Sequence, residues 1–293
     1  MIVKIVFGIL LILTFYFAFI FFMDFVKNSK NGNLENVSFG KAGLVGFIAN
    51  FFDTLGIGSF APMTAMLRFS SLTEDRVLPG TLNVSCTIPV VTEALIFITV
   101  IKVDPITLFS MLISATIGAV VGAGIVSKLD EKKVQLGMGI ALMIVAFLML
   151  ASQLKLMPVG GTAIGLTGIK LVIAVIANFF LGALMTLGIG LYAPCMALIF
   201  ALGMSPKVAF PIMMGSCAYL MPAASAKFVK EGAYNRKVSM AVTVFGIIGV
   251  LIAAYIVKEL PLTILTWLVI IVILYTSVTM FKSYLRGREQ KIT

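Results

Sequence analysis

The sequence predicts an all-α integral membrane protein. It reads as a polytopic helical bundle of two inverted-topology repeats, each with a broken re-entrant helical hairpin and three transmembrane helices, plus an extra N-terminal helix. Three observations carry this expectation. Of 293 residues, 60% are hydrophobic and 12% charged, with mean hydropathy +1.13; a water-soluble domain carries roughly 25% charged residues. One phrase occurs twice inside apolar stretches, TLGIGSFAPMTA from Thr54 to Ala65 and TLGIGLYAPCMA from Thr186 to Ala197, with eight of twelve positions identical at an offset of 132. The basic residues behind the net charge of +10 fall between apolar runs and not in one patch. Loops obeying the positive-inside rule look like this, and a nucleic-acid surface does not.

The elements follow in chain order. Residues 1–27 form the N-terminal helix. The apolar run from Ile5 to Met23 exceeds the roughly 7–15 residues of a signal h-region, and no small-residue cleavage site follows. Residues 40–152 form the first repeat: a hairpin over 41–70, then spans over 77–101, 105–127 and 132–151. Residues 165–285 form the second: a hairpin over 166–203, then spans over 207–229, 235–257 and 261–282. Each ordinary span has the roughly 20 residues that a bilayer requires. Runs 41–70 and 166–203 are too long for one simple span and carry the glycine-rich phrase in the middle.

Charge sets the sidedness. Lys27, Lys30 and Lys41 flank the loop after the first helix, and Arg68 and Arg76 mark the next. Lys128, Lys132 and Lys133 crowd the loop near 130; Lys227, Lys230, Arg236 and Lys237 crowd that near 232. Lys282, Arg286, Arg288 and Lys291 fill the C-terminal tail. These segments are expected on the cytoplasmic side, and the single-lysine loops near 103, 155, 205 and 259 outside. The N-terminus then lies outside and the C-terminus in the cytoplasm. Run 41–70 starts and ends inside, and run 166–203 starts and ends outside, so each enters and returns. The ordered series ANFF (49–52, 177–180), TLGIG, AP, SC (85–86, 216–217) and a following proline (Pro89, Pro222) recurs in both halves. Inverted repeats with interrupted helices are the signature of secondary transporters, with the substrate site where the interruptions meet.

The repeated phrase has a chemical reading. Proline suits the first turn of a helix, so helices restart near Ser59 and Leu191 and aim their N-termini at the membrane centre. Free N–H groups and the positive dipole end favour an anion there. Gly56, Gly58, Gly188 and Gly190 permit unusual backbone angles. Thr54, Ser59, Thr186 and Tyr192 offer neutral hydroxyl donors. Glycines that merely let helices pack closely are the alternative, less suited to one phrase at two reversals. Asn50 and Asn178, equivalent in the ANFF copies, either line the site or cap helix ends. Ser85 and Ser216 are candidates to flank the cavity. Asp53 and Glu93 are carboxylates inside the membrane, where such groups are rare; each either couples a proton to transport or is satisfied by a neighbouring hydroxyl. Arg68 and Lys227, at span ends, are expected to snorkel to the interface.

The absence of histidine removes the commonest metal ligand and general base. Cys86, Cys195 and Cys217 lie in apolar runs with no CxxC spacing, so neither a zinc site nor a disulfide framework is indicated, and packing as small hydrophobes is expected. An enzyme, a metal and a cofactor are not expected. The expected partners are a small anion and the lipid bilayer, with no nucleic acid; a homodimer is compatible with this reading.

The stretches DTLGIGSFAPMTAML, MTLGIGLYAPCMALIF and PIMMGSCAYLMPAASAKFVKEGAYN resemble the sulfite exporter TauE/SafE family over roughly residues 40–285. The resemblance implies a prokaryotic inner-membrane permease for sulfite, organosulfonates or related sulfur oxyanions, often acting outward, without a cofactor. A passive anion channel of the same architecture, or an importer of a related anion, is the alternative.

Overall fold

A computed structural model describes residues 2–97, 103–157, 160–255 and 262–289. Among these are eleven α-helices: α1 (Ile2–Lys30), α2 (Phe39–Thr54), α3 (Phe60–Phe69), α4 (Leu78–Phe97), α5 (Pro105–Val126), α6 (Glu131–Gln153), α7 (Gly168–Met185), α8 (Tyr192–Ala201), α9 (Pro206–Glu231), α10 (Arg236–Tyr255) and α11 (Leu262–Glu289). A short 3-10 turn spans Asp75–Val77. No β-strand occurs among the described residues, which form an all-α polytopic bundle.

The helix boundaries have local causes. Ser38 caps α2 through the Lys41 N–H, Asp104 caps α5 through the Thr107 N–H, and Asp130 caps α6 through the Lys133 N–H. Each side-chain oxygen satisfies a donor that the helix cannot. Helix α9 ends at Gly232 with φ +63°, the left-handed C-terminal conformation that glycine adopts without cost.

Both glycine-rich phrases interrupt a helix. The chain leaves α2 at Thr54 and resumes helix at Phe60, with Ser59 as N-cap; it leaves α7 at Met185 and resumes at Tyr192, with Leu191 as N-cap. Gly56, Gly58, Gly188 and Gly190 have φ of +94°, +89°, +99° and +75°, angles that L-residues with a Cβ adopt only at a cost.

The helix packing repeats itself when the two halves are exchanged. Helix α2 packs on α10, and α7 on α5; α10 packs on α4, and α5 on α9; α3 packs on α11, and α8 on α6. The pairs α4–α9 and α6–α11 join each half to its counterpart. Crossings are tight where glycine removes the side chain: a Cβ on Gly118 of α5 would strike the Phe179 carbonyl oxygen of α7, and one on Gly182 of α7 would strike that of Ala115. Small residues at crossings are what membrane helices use to approach closely. Helix α1 stands outside this pattern and packs mainly on α9. Its Asp24 accepts hydrogen bonds from the Tyr234 hydroxyl (2.6 Å) and Arg236 Nε (2.7 Å).

Among the described residues, seven helices are long and apolar enough to cross a membrane: Phe7–Lys30, Pro105–Val126, Glu131–Gln153, Gly168–Met185, Pro211–Glu231, Arg236–Tyr255 and Thr266–Arg286. Helix α7 is in this set, although the sequence reading makes it one arm of a returning hairpin. Its 18 residues rise about 27 Å, close to the roughly 30 Å of a bilayer core. The end of span 77–101, the two ends that face each other near 259, and Lys291 lie outside the described residues.

Candidate functional site

The two interruptions meet. A cavity of about 50 Å³ is lined by Gly58, Ser59, Phe60 and Ala61 from the first and by Gly190, Leu191, Tyr192 and Ala193 from the second. Asp53, Val90 of α4, Val145 and Met149 of α6, Met185 and Cys217 close its walls. Its volume is several times what one water needs. Each phrase thus brings a helix N-terminus, with backbone donors that lack an intrahelical partner, to one shared cavity. No Lys or Arg lines it, so its attraction for an anion comes from backbone dipoles and hydroxyl donors.

Two buried carboxyls border the cavity. Asp53, 2% exposed, accepts a hydrogen bond from Ser59 Oγ at 2.7 Å. Glu93, fully buried on α4, accepts from Thr54 Oγ1 at 2.8 Å and from the Tyr192 hydroxyl at 3.2 Å. Glu93 thereby links the end of α2 to the start of α8, one element from each half. A second cavity of about 220 Å³ adjoins on the side of the α6 C-terminus, lined by Gly56, Ser152, Gln153, Met157 and Phe200 among others. Ile57, Met149, Tyr192 and Ala193 line both spaces.

The residues singled out in the sequence divide into three groups. Gly58, Ser59, Gly190, Tyr192 and Asp53 line the central cavity; Thr54 and Glu93 join it through hydrogen bonds, and Gly56 lines the adjoining space. Thr186 and Gly188 shape the second interruption from behind. The Thr186 carbonyl accepts from Asn83 Nδ2 at 3.3 Å, and Gly188 packs against Leu82 and Met138.

The third group sits at helix crossings. Asn50 donates to the Gly46 carbonyl (2.8 Å) and lies against Gly246 of α10. Asn178 donates to the Met111 carbonyl of α5 (2.8 Å) and to Ser216 Oγ of α9 (3.1 Å). Ser85 is tied to Pro89 through its backbone. Proline has no N–H, so it leaves the carbonyl four residues earlier unpaired, and Thr243 Oγ1 of α10 donates to that Ser85 carbonyl at 2.9 Å.

Arg68 is tied into the protein at the end of α3. It forms a two-pronged pair with Asp75 (2.7 and 2.9 Å) and also donates to Thr279 and Ser283 of α11. Lys227 pairs with Glu231 at 2.8 Å. All three cysteines are buried and free; Cys217 lies in the cavity wall. Sequence reasoning missed Val90, Val145, Met149 and Met185, because an apolar residue in a span carries no mark of facing a cavity. Among the described residues no cluster of potential metal ligands occurs.

No curated protein and no solved structure matches the chain. The family described as sulfite exporter TauE/SafE matches residues 1–149, half of the 293-residue chain. The matched part contains the N-terminal helix, the first interruption, Asp53 and Glu93. By that match, on a bundle whose helices suit a membrane, the chain belongs to the sulfite exporter TauE/SafE family and is a multi-pass transporter protein.

Proposed function

We propose that this chain is a secondary transporter that exports a small sulfur oxyanion, sulfite or an organosulfonate, by alternating access about the central cavity. The observation that supports this best is that both helix restarts line one small cavity. An anion there would meet the positive ends of two helix dipoles. Thr54, Ser59 and Tyr192 would add hydroxyl donors beside Gly58 and Gly190, and Gly56, Thr186 and Gly188 would set the backbone around them. Asn50, Asn178, Ser85 and Ser216 would act by fixing the helices that carry the tips. Asp53 and Glu93 are the candidates for coupling to protons. The absence of a lysine or arginine suits a carrier that must release its load.

The mirrored packing of the halves supports reading residues 40–152 and 165–285 as repeats. The charge pattern supports inverted orientations, with the N-terminus outside and the C-terminus in the cytoplasm, and the family match suits an inner (cell) membrane location. Rocking of one repeat against the other would open the cavity to each side in turn. Reconstitution tests the reading. Proteoliposomes holding the purified protein should accumulate labelled sulfite above its external concentration under an imposed proton gradient. Flux that only equalises concentrations indicates a channel, and no sulfite flux in either direction contradicts the substrate class.

A further inference from the structure

The two helix N-termini in the cavity are chemically unequal. At the start of α3, the Asp53 carboxylate takes the Ser59 hydroxyl at 2.7 Å and also faces the Ser59 backbone N–H. These are donors that an anion at this terminus would use. At the start of α8 the equivalent positions hold Met185 in place of Asp53 and Leu191 in place of Ser59, neither of which carries a side-chain oxygen. Glu93 reaches only as far as a side-chain donor there, the Tyr192 hydroxyl. One terminus is thus pre-capped by the protein's own carboxylate, and the other is capped by none.

Asp53 and a bound anion would share a space of about 50 Å³ with no cation in its lining. At an effective dielectric near 20, two like charges about 4 Å apart weaken binding roughly a thousandfold. The other titratable groups around Asp53 are Glu93 and Cys86 of α4, Tyr192 of α8 and Cys217 of α9. Helix α10, which packs along α2, carries Arg236 and Lys237 in its first turn, and the described contacts bring neither to Asp53. No cationic side chain in the cavity wall neutralises a second negative charge.

We propose that Asp53 is a built-in competitor of the substrate: its carboxylate and the bound anion exclude each other. The anion binds at the α8 N-terminus when Asp53 carries a proton taken from the medium, so each anion bound takes up one proton. The inference rests on the anion-site reading above and goes beyond it by giving the site a polarity and Asp53 a defined role in specificity.

The test measures sulfite binding to the purified full-length protein at about pH 6 and about pH 8, where linkage of one proton to binding changes affinity up to tenfold per pH unit. Wild type is compared with Asp53→Asn and with Asp53→Met, the latter copying the other repeat. Sulfite's own titration is common to all three proteins and cancels in the affinity ratio. The expected result is that wild-type affinity relative to either folded variant falls tenfold or more between the lower and higher pH. Both variants should bind at least as tightly as wild type at the higher pH. A ratio that does not change with pH, or loss of binding in variants that still melt cooperatively, overturns the role of Asp53 while leaving the anion site standing. Sulfite bound by none of the three contradicts the anion site itself.

Discussion

Gly190 has φ +75° and open space where a Cβ would lie, whereas a Cβ on Gly182 would strike the Ala115 carbonyl oxygen of a neighbouring helix. The first glycine is required by backbone angle and the second by room. Gly190→Ala should therefore cost about 1–2 kcal/mol of left-handed strain. Gly182→Ala forces two helix backbones apart and should cost about 3 kcal/mol, the upper end of overpacking penalties. Thermal unfolding in detergent should rank Gly182→Ala below Gly190→Ala, and the reverse order would contradict this division. At this scale the sequence is legible where chemistry is local. Glycine and proline punctuation marks Gly58, Ser59 and Gly190 because the turn itself demands them. The repeat is less discriminating: Asn50, Asn178, Ser85 and Ser216 recur as faithfully as the tips, yet they brace helix crossings. A duplicated segment records shared architecture, and packing residues share it as fully as site residues do.

Among the elements, the connection that joins α5 to the segment before α7 shows how a cap organises a junction. Asp104 accepts from both the N–H and the hydroxyl of Thr107, each at 2.8 Å. The Asp104 N–H donates to the Ile164 carbonyl and the Leu166 N–H to Thr107 Oγ1, so the cap also fastens the second half to the first. The Thr107 donors hold the Asp104 carboxyl below the ordinary carboxylate range. A group whose pKa is lowered by folding stabilises the fold above its unfolded value, and that stability is lost as pH falls through the folded one. Asp104→Ala should cost about 1 kcal/mol near neutrality. The gap between variant and wild type should narrow below about pH 4, the ordinary aspartate range. A gap independent of pH would show that the carboxylate charge is not what caps α5. The helix starts read from the apolar runs at 105, 132 and 207 fall within one residue of those observed, because charged and turn-forming residues bound the runs. The Glu93 link from Thr54 to Tyr192 was not legible, since it joins residues 39 and 99 positions apart that only the tertiary fold brings together.

For the whole molecule, composition predicted the helical membrane bundle directly, because too little polar residue is present to cover a water-facing surface. Sidedness is a different matter. It comes from loop charge, and helix α7, by itself long enough to cross, makes the returning path of residues 166–203 the most exposed part of the topology. The first hairpin offers the cleaner test, since the native cysteines are buried and should not react with a membrane-impermeant maleimide. Asn33→Cys and Glu74→Cys, placed before α2 and after α3, should both label from the cytoplasmic face alone. Labelling from opposite faces would mean that residues 41–70 cross fully, and the inverted-repeat reading would fall. The central claim is that both interruptions build one anion site. Selenite, a heavier analogue of sulfite, tests it most directly by anomalous diffraction from crystals soaked with it. The account predicts an anomalous peak in the cavity between Gly58 and Gly190, within hydrogen-bond reach of the α8 N-terminus. A fully occupied peak elsewhere, such as beside Arg68 and Arg236, with none in that cavity, would contradict it.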